Sequence, residues 1–178
     1  MLTPGSFEPV SELPALSSTL DRLRTHVLEH AVKTGDFVLK SGARSSWFLD
    51  TKQTACRADG IIAVTDAIVE MFGDELGTVD AIGGLTLGAD PMAYGVAAVL
   101  ATRGFDVRSF SVRKEVKQGG VTGRIAGALQ PGDRVLVTED TTTRGTSLIE
   151  AVDQIEAYGA HPVFMSVIVD RGGTCAAM

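Results

Sequence analysis

Along this chain, short apolar runs alternate with stretches whose apolar residues recur every three to four positions. Leu20, Leu23, Val27 and Ala31 share one face of a predicted helix, with charged residues between them. Ala58, Ile61, Ile62, Thr65, Ile68, Val69 and Phe72 repeat at the period of a second, amphipathic helix. Met92, Val96, Val99 and Leu100 mark a third, with Asp90 as its cap, Pro91 as its first residue and Gly104 at its end. Leu148, Ala151, Val152 and Ile155 mark a fourth, stopped by Gly159. Strand-like runs lie at 79–82, 107–112, 135–137 and 163–169. Strands and helices in alternation predict an α/β fold, a parallel sheet with helices on both faces. Ligands of such sheets bind beyond the carboxyl ends of the strands.

The N-terminal part departs from this alternation. Residues 1–18 carry three prolines and no period, which predicts an extended arm before a single domain at 19–178. Gly35 ends the first helix, and runs at 37–39 and 47–50 flank a Ser/Gly turn. They predict a hairpin over about 35–52, with Lys40 closing its first strand and Trp47 packed. His26 and His30 are expected to face solvent, and a metal role would need ligands from outside their helix.

Composition narrows the function classes. At 178 residues and 44% hydrophobic, the chain can bury one sizeable core. A net charge of −6 and a pI near 5.0 argue against nucleic acid as the main partner. No apolar run reaches membrane-spanning length. The opening residues lack the basic-then-apolar pattern of a secretory signal, so the expected compartment is the cytoplasm. Cys56 and Cys175 are far apart and match no metal spacing, so both read as free thiols.

The chemistry concentrates in 134–147, read as RVLVTEDTTTRGTS. A buried strand meets two adjacent acids, Glu139 and Asp140. A loop of Thr141, Thr142, Thr143, Arg144, Gly145, Thr146 and Ser147 then enters a helix. A helix start offers free N–H groups and partial positive charge to a phosphate, and the hydroxyls add donors. The two carboxylates add acceptors for sugar hydroxyls, which points to a sugar phosphate. An ordinary capped strand-to-helix turn is the plainer alternative. GGLTLGADP, with Gly83, Gly84 and Gly88, is a second glycine-rich turn at which backbone N–H groups can approach an anion. RKEVKQGGVTGRIAG places Arg113, Lys114 and Lys117 beside Gly119, Gly120 and Gly123. It reads either as a solvated charge run or as a mobile cationic lid between two core strands.

Residues 134–147 resemble the phosphoribosyl pyrophosphate (PRPP) motif of the type I phosphoribosyltransferases. FVLKSGARSSWFLD resembles the N-terminal hood of the orotate phosphoribosyltransferases, and RKEVK resembles their catalytic loop. The resemblance implies a type I phosphoribosyltransferase fold: a central, mostly parallel sheet flanked by helices, with a small N-terminal hood. It implies transfer of the phosphoribosyl group of PRPP to orotate, giving orotidine 5′-monophosphate and pyrophosphate, with Mg²⁺ held mostly by substrate and also by Asp140. Arg113, Lys114, Lys117 and Asp140 take the catalytic roles. Arg113, Lys114, Lys117, Glu139, Asp140 and the Thr141-to-Ser147 loop hold PRPP, and Lys40, Phe48, Thr143 and Arg171 hold orotate. It further implies a homodimer whose lid crosses to the partner's site. Three departures stand out: Leu49 replaces a second hood aromatic, Leu87 stands near a family lysine, and Gly119 stands where many members carry a lid histidine. Arg124 is the candidate replacement for that histidine. The rival expectations are another type I phosphoribosyltransferase, such as a purine enzyme, a non-catalytic PRPP-binding regulator, and an inactive family member.

Overall fold

The computed structural model describes residues 15–38, 42, 44–117 and 123–172; of Lys117 it describes the backbone. Lys40, Gly119 and Cys175 lie outside the described residues, as does most of the N-terminal arm. Five strands form the main sheet: β3 (Ala81–Leu85), β4 (Arg108–Lys117), β5 (Gly123–Gly127), β6 (Arg134–Thr142) and β7 (His161–Asp170). Their order is β5-β4-β3-β6-β7. Neighbouring pairs among β4, β3, β6 and β7 are parallel, while β5 runs antiparallel to β4 at one edge. The mostly parallel sheet expected from the alternation is therefore present.

Period-two patterning divides the sheet's side chains between two cores. Ile82 and Leu136 pack with Val64 and Ile68 of α3 (Ala58–Phe72) and with Met92, Val96 and Leu100 of α4 (Ala89–Ala101). Ala81, Val135 and Val137 point the other way, onto Leu148, Ala151 and Ile155 of α5 (Thr146–Tyr158). A one-residue shift in any of these strands would exchange the two faces.

The hood is a separate antiparallel ribbon, β1 (Val32–Val38) with β2 (Arg44–Leu49). The first helix, α1, covers Ser18–His26 and is capped by Ser17, whose side chain accepts from Leu20 N–H. It passes through a π turn at Val27–Ala31 straight into β1. Gly35 therefore does not stop a helix; it sits within β1, where the register to β2 shifts. Short α2 (Lys52–Ala55) connects the hood to α3.

Four further expectations change. His26 is not solvent-facing: its side chain is only 10% exposed, because Asp59 and Thr54 close over it. Asp90 is not the cap of α4, which begins at Ala89; its carboxylate instead accepts from Ser111 Oγ at 2.6 Å. Gly83 and Gly84 are not anion-binding loop residues. They lie inside β3, where a Cβ would sit 2.6 Å from the Phe110 ring or 2.1 Å from Thr138 O, so they serve close packing. Trp47 is not packed into a core but 44% exposed.

Candidate active site

The carboxyl ends of β3 and β6 open into a cavity of about 490 Å³. Lys52, Thr86, Leu87, Gly88, Lys114, Glu139, Asp140, Thr141 and Ser147 contribute to its walls. Both carboxylates come from the carboxyl-terminal part of β6, whose residues 135–140 are all buried. They are aimed at Gly88: a Cβ there would lie 1.8 Å from Glu139 Oε1 and 2.8 Å from Asp140 Oδ1. Glycine at this position thus makes room for the acidic pair.

The pair is electrostatically uneven. Burial, then the neighbouring Asp140, pushes the Glu139 carboxyl up to about 7. Asp140 is compensated by a lysine that the sequence reading did not assign. Lys52 Nζ donates to Asp140 Oδ2 at 2.7 Å. Burial works to lower the Lys52 pKa, but hydrogen bonding and the charge of Asp140 outweigh it, and the net shift is upward. Thr51 Oγ1 donates to the same carboxylate oxygen at 2.9 Å and lies 2.7 Å from Thr141 Oγ1. No local signal marks Thr51 and Lys52, because Lys52 and Asp140 are 88 residues apart in sequence. α2 brings them together.

A second hollow of about 260 Å³ adjoins this cavity, lined by Thr141, Thr142, Thr143, Arg144, Gly145, Thr146 and Ser147. The loop turns through Gly145, whose φ of +72° lies in the left-handed region that glycine adopts freely. Thr142 Oγ1 accepts from Gly145 N–H at 3.0 Å, and α5 starts at the next residue. The hollow is therefore a helix start ringed by hydroxyls, with the donors and the dipole that a phosphate needs.

The expected supple lid is in part a strand. Arg113, Lys114 and Lys117 continue β4 beyond Val112, and Lys117 pairs with Gly123 of β5 across a register shift. Pairing with β5 gives this backbone the partner that a solvated charge run would lack. Lys114 reaches the cavity wall. Arg113 donates to Gly123 O at 3.4 Å. Arg124 donates to Arg113 O at 2.6 Å and pairs with Glu150 of α5, so its guanidinium braces the ribbon's base. Leu87 is 71% exposed at the cavity rim.

At the hood, Phe48 packs on Phe37, with ring centroids 5.7 Å apart. The neighbouring aromatic instead meets Arg171, whose guanidinium carbon lies 5.3 Å from the Trp47 ring centroid. Arg171 is tied to the phosphate loop through its backbone N–H, which donates to Thr142 O at 2.8 Å. Trp47 and Arg171 therefore stand together beside Thr142, a pairing the sequence reading missed by following Phe48.

Residues 57–176 match the family model described as "Phosphoribosyl transferase domain". The orotate phosphoribosyltransferase of Aquifex aeolicus (strain VF5) is 36% identical over 154 residues, spanning 85% of this chain and 83% of that protein. A crystal structure of Mycobacterium tuberculosis H37Rv orotate phosphoribosyltransferase in complex with Fe(III) dicitrate superposes with a TM-score of 0.78 at 31% identity, covering 89% of each chain. The same mycobacterial enzyme in complex with PRPP aligns with a TM-score of 0.70 at 27% identity, over 89% of this chain and 87% of that one.

Proposed function

The chain belongs to the phosphoribosyltransferase family, on its orotate phosphoribosyltransferase branch, and we propose that it transfers the 5-phosphoribosyl group from PRPP to orotate. The observation that carries this reading is the joined cavity. A hydroxyl-ringed helix start lies next to two buried carboxylates, with cations at the wall. That arrangement suits a 5-phosphate, a ribose and a pyrophosphate in sequence.

In the reaction the bond from C1′ to the pyrophosphate oxygen breaks, and a bond from C1′ to the orotate ring nitrogen forms. Orotidine 5′-monophosphate and pyrophosphate are the products, and the ring nitrogen gives up its proton. The Thr141-to-Ser147 loop anchors the 5′-phosphate, which fixes the ribose ring. Glu139 and Asp140 accept hydrogen bonds from the ribose hydroxyls and place negative charge near the developing cation at C1′. Lys52 and Thr51 donate to Asp140 Oδ2 and so hold its carboxylate in place. Arg113, Lys114 and Lys117 balance the charge of the departing pyrophosphate. Arg171 suits the orotate carboxylate, with Trp47 beneath its guanidinium; Lys40, Phe48 and Thr143 complete the expected base contacts.

The donor set fits a hard divalent cation, because two carboxylates converge on the space beside Gly88. Mg²⁺ bound there with substrate would supply charge neutralisation for the pyrophosphate, with Asp140 as its protein ligand. We read the chain as a cytoplasmic homodimer whose lid is shared between the two subunits, and sedimentation of the purified protein tests the dimer.

The direct test follows the fall in orotate's ultraviolet absorbance with PRPP and Mg²⁺, with uracil and hypoxanthine in parallel. Consumption of orotate alone is expected. Turnover of hypoxanthine instead would favour a purine enzyme. PRPP binding without any turnover would favour a regulator or an inactive member.

A further inference from the structure

A second cluster of ligating side chains lies apart from the cleft, where α1 passes into the π turn. His26 ends α1 and His30 follows four residues later, so their rings sit one turn apart, with centroids separated by 4.4 Å. Asp59 joins them from the first turn of α3. One ligand atom from each of the three falls within 4.8 Å of the others.

The state of His26 suggests what the cluster holds. Its Nδ1 lies 3.2 Å from Thr54 Oγ1, which orients the ring. Its Nε2 is buried and faces Asp59 Oδ1 at 3.3 Å, and this contact holds the Asp59 carboxyl below the usual range. A buried ring nitrogen facing a carboxylate is satisfied either by a proton or by a cation that the two share. Two donor atoms sharing a tetrahedral ion at bonds of about 2.0 Å are separated by about 3.3 Å, the distance between His26 Nε2 and Asp59 Oδ1, and the His30 donor lies within 4.8 Å of both. Thr54 supplies the outer partner that metal-bound imidazoles usually have. Gly60 leaves space for the ring, since a Cβ there would lie 2.8 Å from His26 Cε1. Asp59 is exposed, so water can complete the shell.

We propose that His26, His30 and Asp59 form a binding site for a divalent transition-metal ion of the zinc class. The site clasps α1, the π turn and α3 at the foot of the hood. Two imidazoles select such an ion over Mg²⁺, which prefers the all-oxygen donors of the cleft. The two sites are therefore separable by metal.

The test is calorimetric titration of the metal-stripped protein with Zn²⁺ in excess Mg²⁺, with Co²⁺ absorbance as a probe of tetrahedral nitrogen ligation. One Zn²⁺ per chain is expected. His30→Ala, at a half-buried ring, and Asp59→Asn, at an exposed carboxylate, should weaken binding at least about tenfold. Asp140→Asn should leave it unchanged. The proposal is overturned if the wild type takes up no Zn²⁺, or if His30→Ala and Asp59→Asn bind like the wild type with unaltered melting of the metal-free proteins. It is equally overturned if Asp140→Asn alone removes the binding.

Discussion

The end of β6 and the two-stranded ribbons are built in opposite ways. In β6, residues 135–140 are all buried; 135–137 pair with both β3 and β7, and the two acids follow on the stretch that pairs with β7. In the hood, neither β1 nor β2 has a buried residue, and β4 becomes exposed once it passes Arg113. The two acids assigned to the ribose are thus part of the core, while Phe48, assigned to the base, and Arg113, Lys114 and Lys117, assigned to the departing pyrophosphate, ride on ribbons. A ribose has to be held in one geometry, but substrates must enter and pyrophosphate must leave. Rigid sheet suits the first requirement and marginally stable ribbon the second.

The strongest way to break this comparison is on the ribbon. Lys117→Ala should lower turnover at least about a hundredfold by removing a transition-state cation. PRPP binding, measured by calorimetry, should survive. Unchanged turnover would remove the lid from the mechanism. In the sheet the effect should appear as stability. Gly84→Ala drives a Cβ to within 2.1 Å of the Thr138 carbonyl. A loss of about 1–3 kcal/mol is expected, read as a lowered Tm.

A subtler probe is pH. Glu139 is raised from 4.5 to about 7, so between those values the folded chain keeps a proton that the unfolded chain has released. Stability should therefore fall as pH rises through that window and level off above it. Glu139→Gln should lack this slope, and a Tm-versus-pH series compares the two. Wild-type and variant curves of equal slope would mean that Glu139 titrates normally. The smallest effect belongs to the hood. Trp47→Ala removes a cation–π partner of Arg171. It should cost roughly two- to fivefold in kcat/KM for orotate while leaving Tm unchanged. A large fall in Tm would show that the hood is stability-bearing after all.

The elements were legible where local pattern and tertiary environment agree. The α3 helix spans residues 58–72 as the apolar repeat requires, and β6 follows the run at 135–137. Boundaries moved where tertiary contacts overrode local signals. Asp90 reads as a helix cap until Ser111 claims its carboxylate. The glycines 83 and 84 read as loop until their neighbours show that β3 needs their missing side chains. The strand β5 was missed because glycine and a charged residue carry little strand signal; pairing with β4 supplies the rest.

By itself, the sequence determined the α/β alternation, the family, and the acid pair followed by a hydroxyl loop. These features are encoded in residues close together along the chain, so periodicity and motif suffice to read them. The tertiary structure alone decided that Lys52 compensates Asp140, that Trp47 rather than Phe48 meets Arg171, and that Asp59 joins the two histidines. Those partners lie 88, 124 and about 30 positions apart. No local pattern encodes such pairs; they exist only once burial of the two cores has brought α2, the hood and α3 to their places.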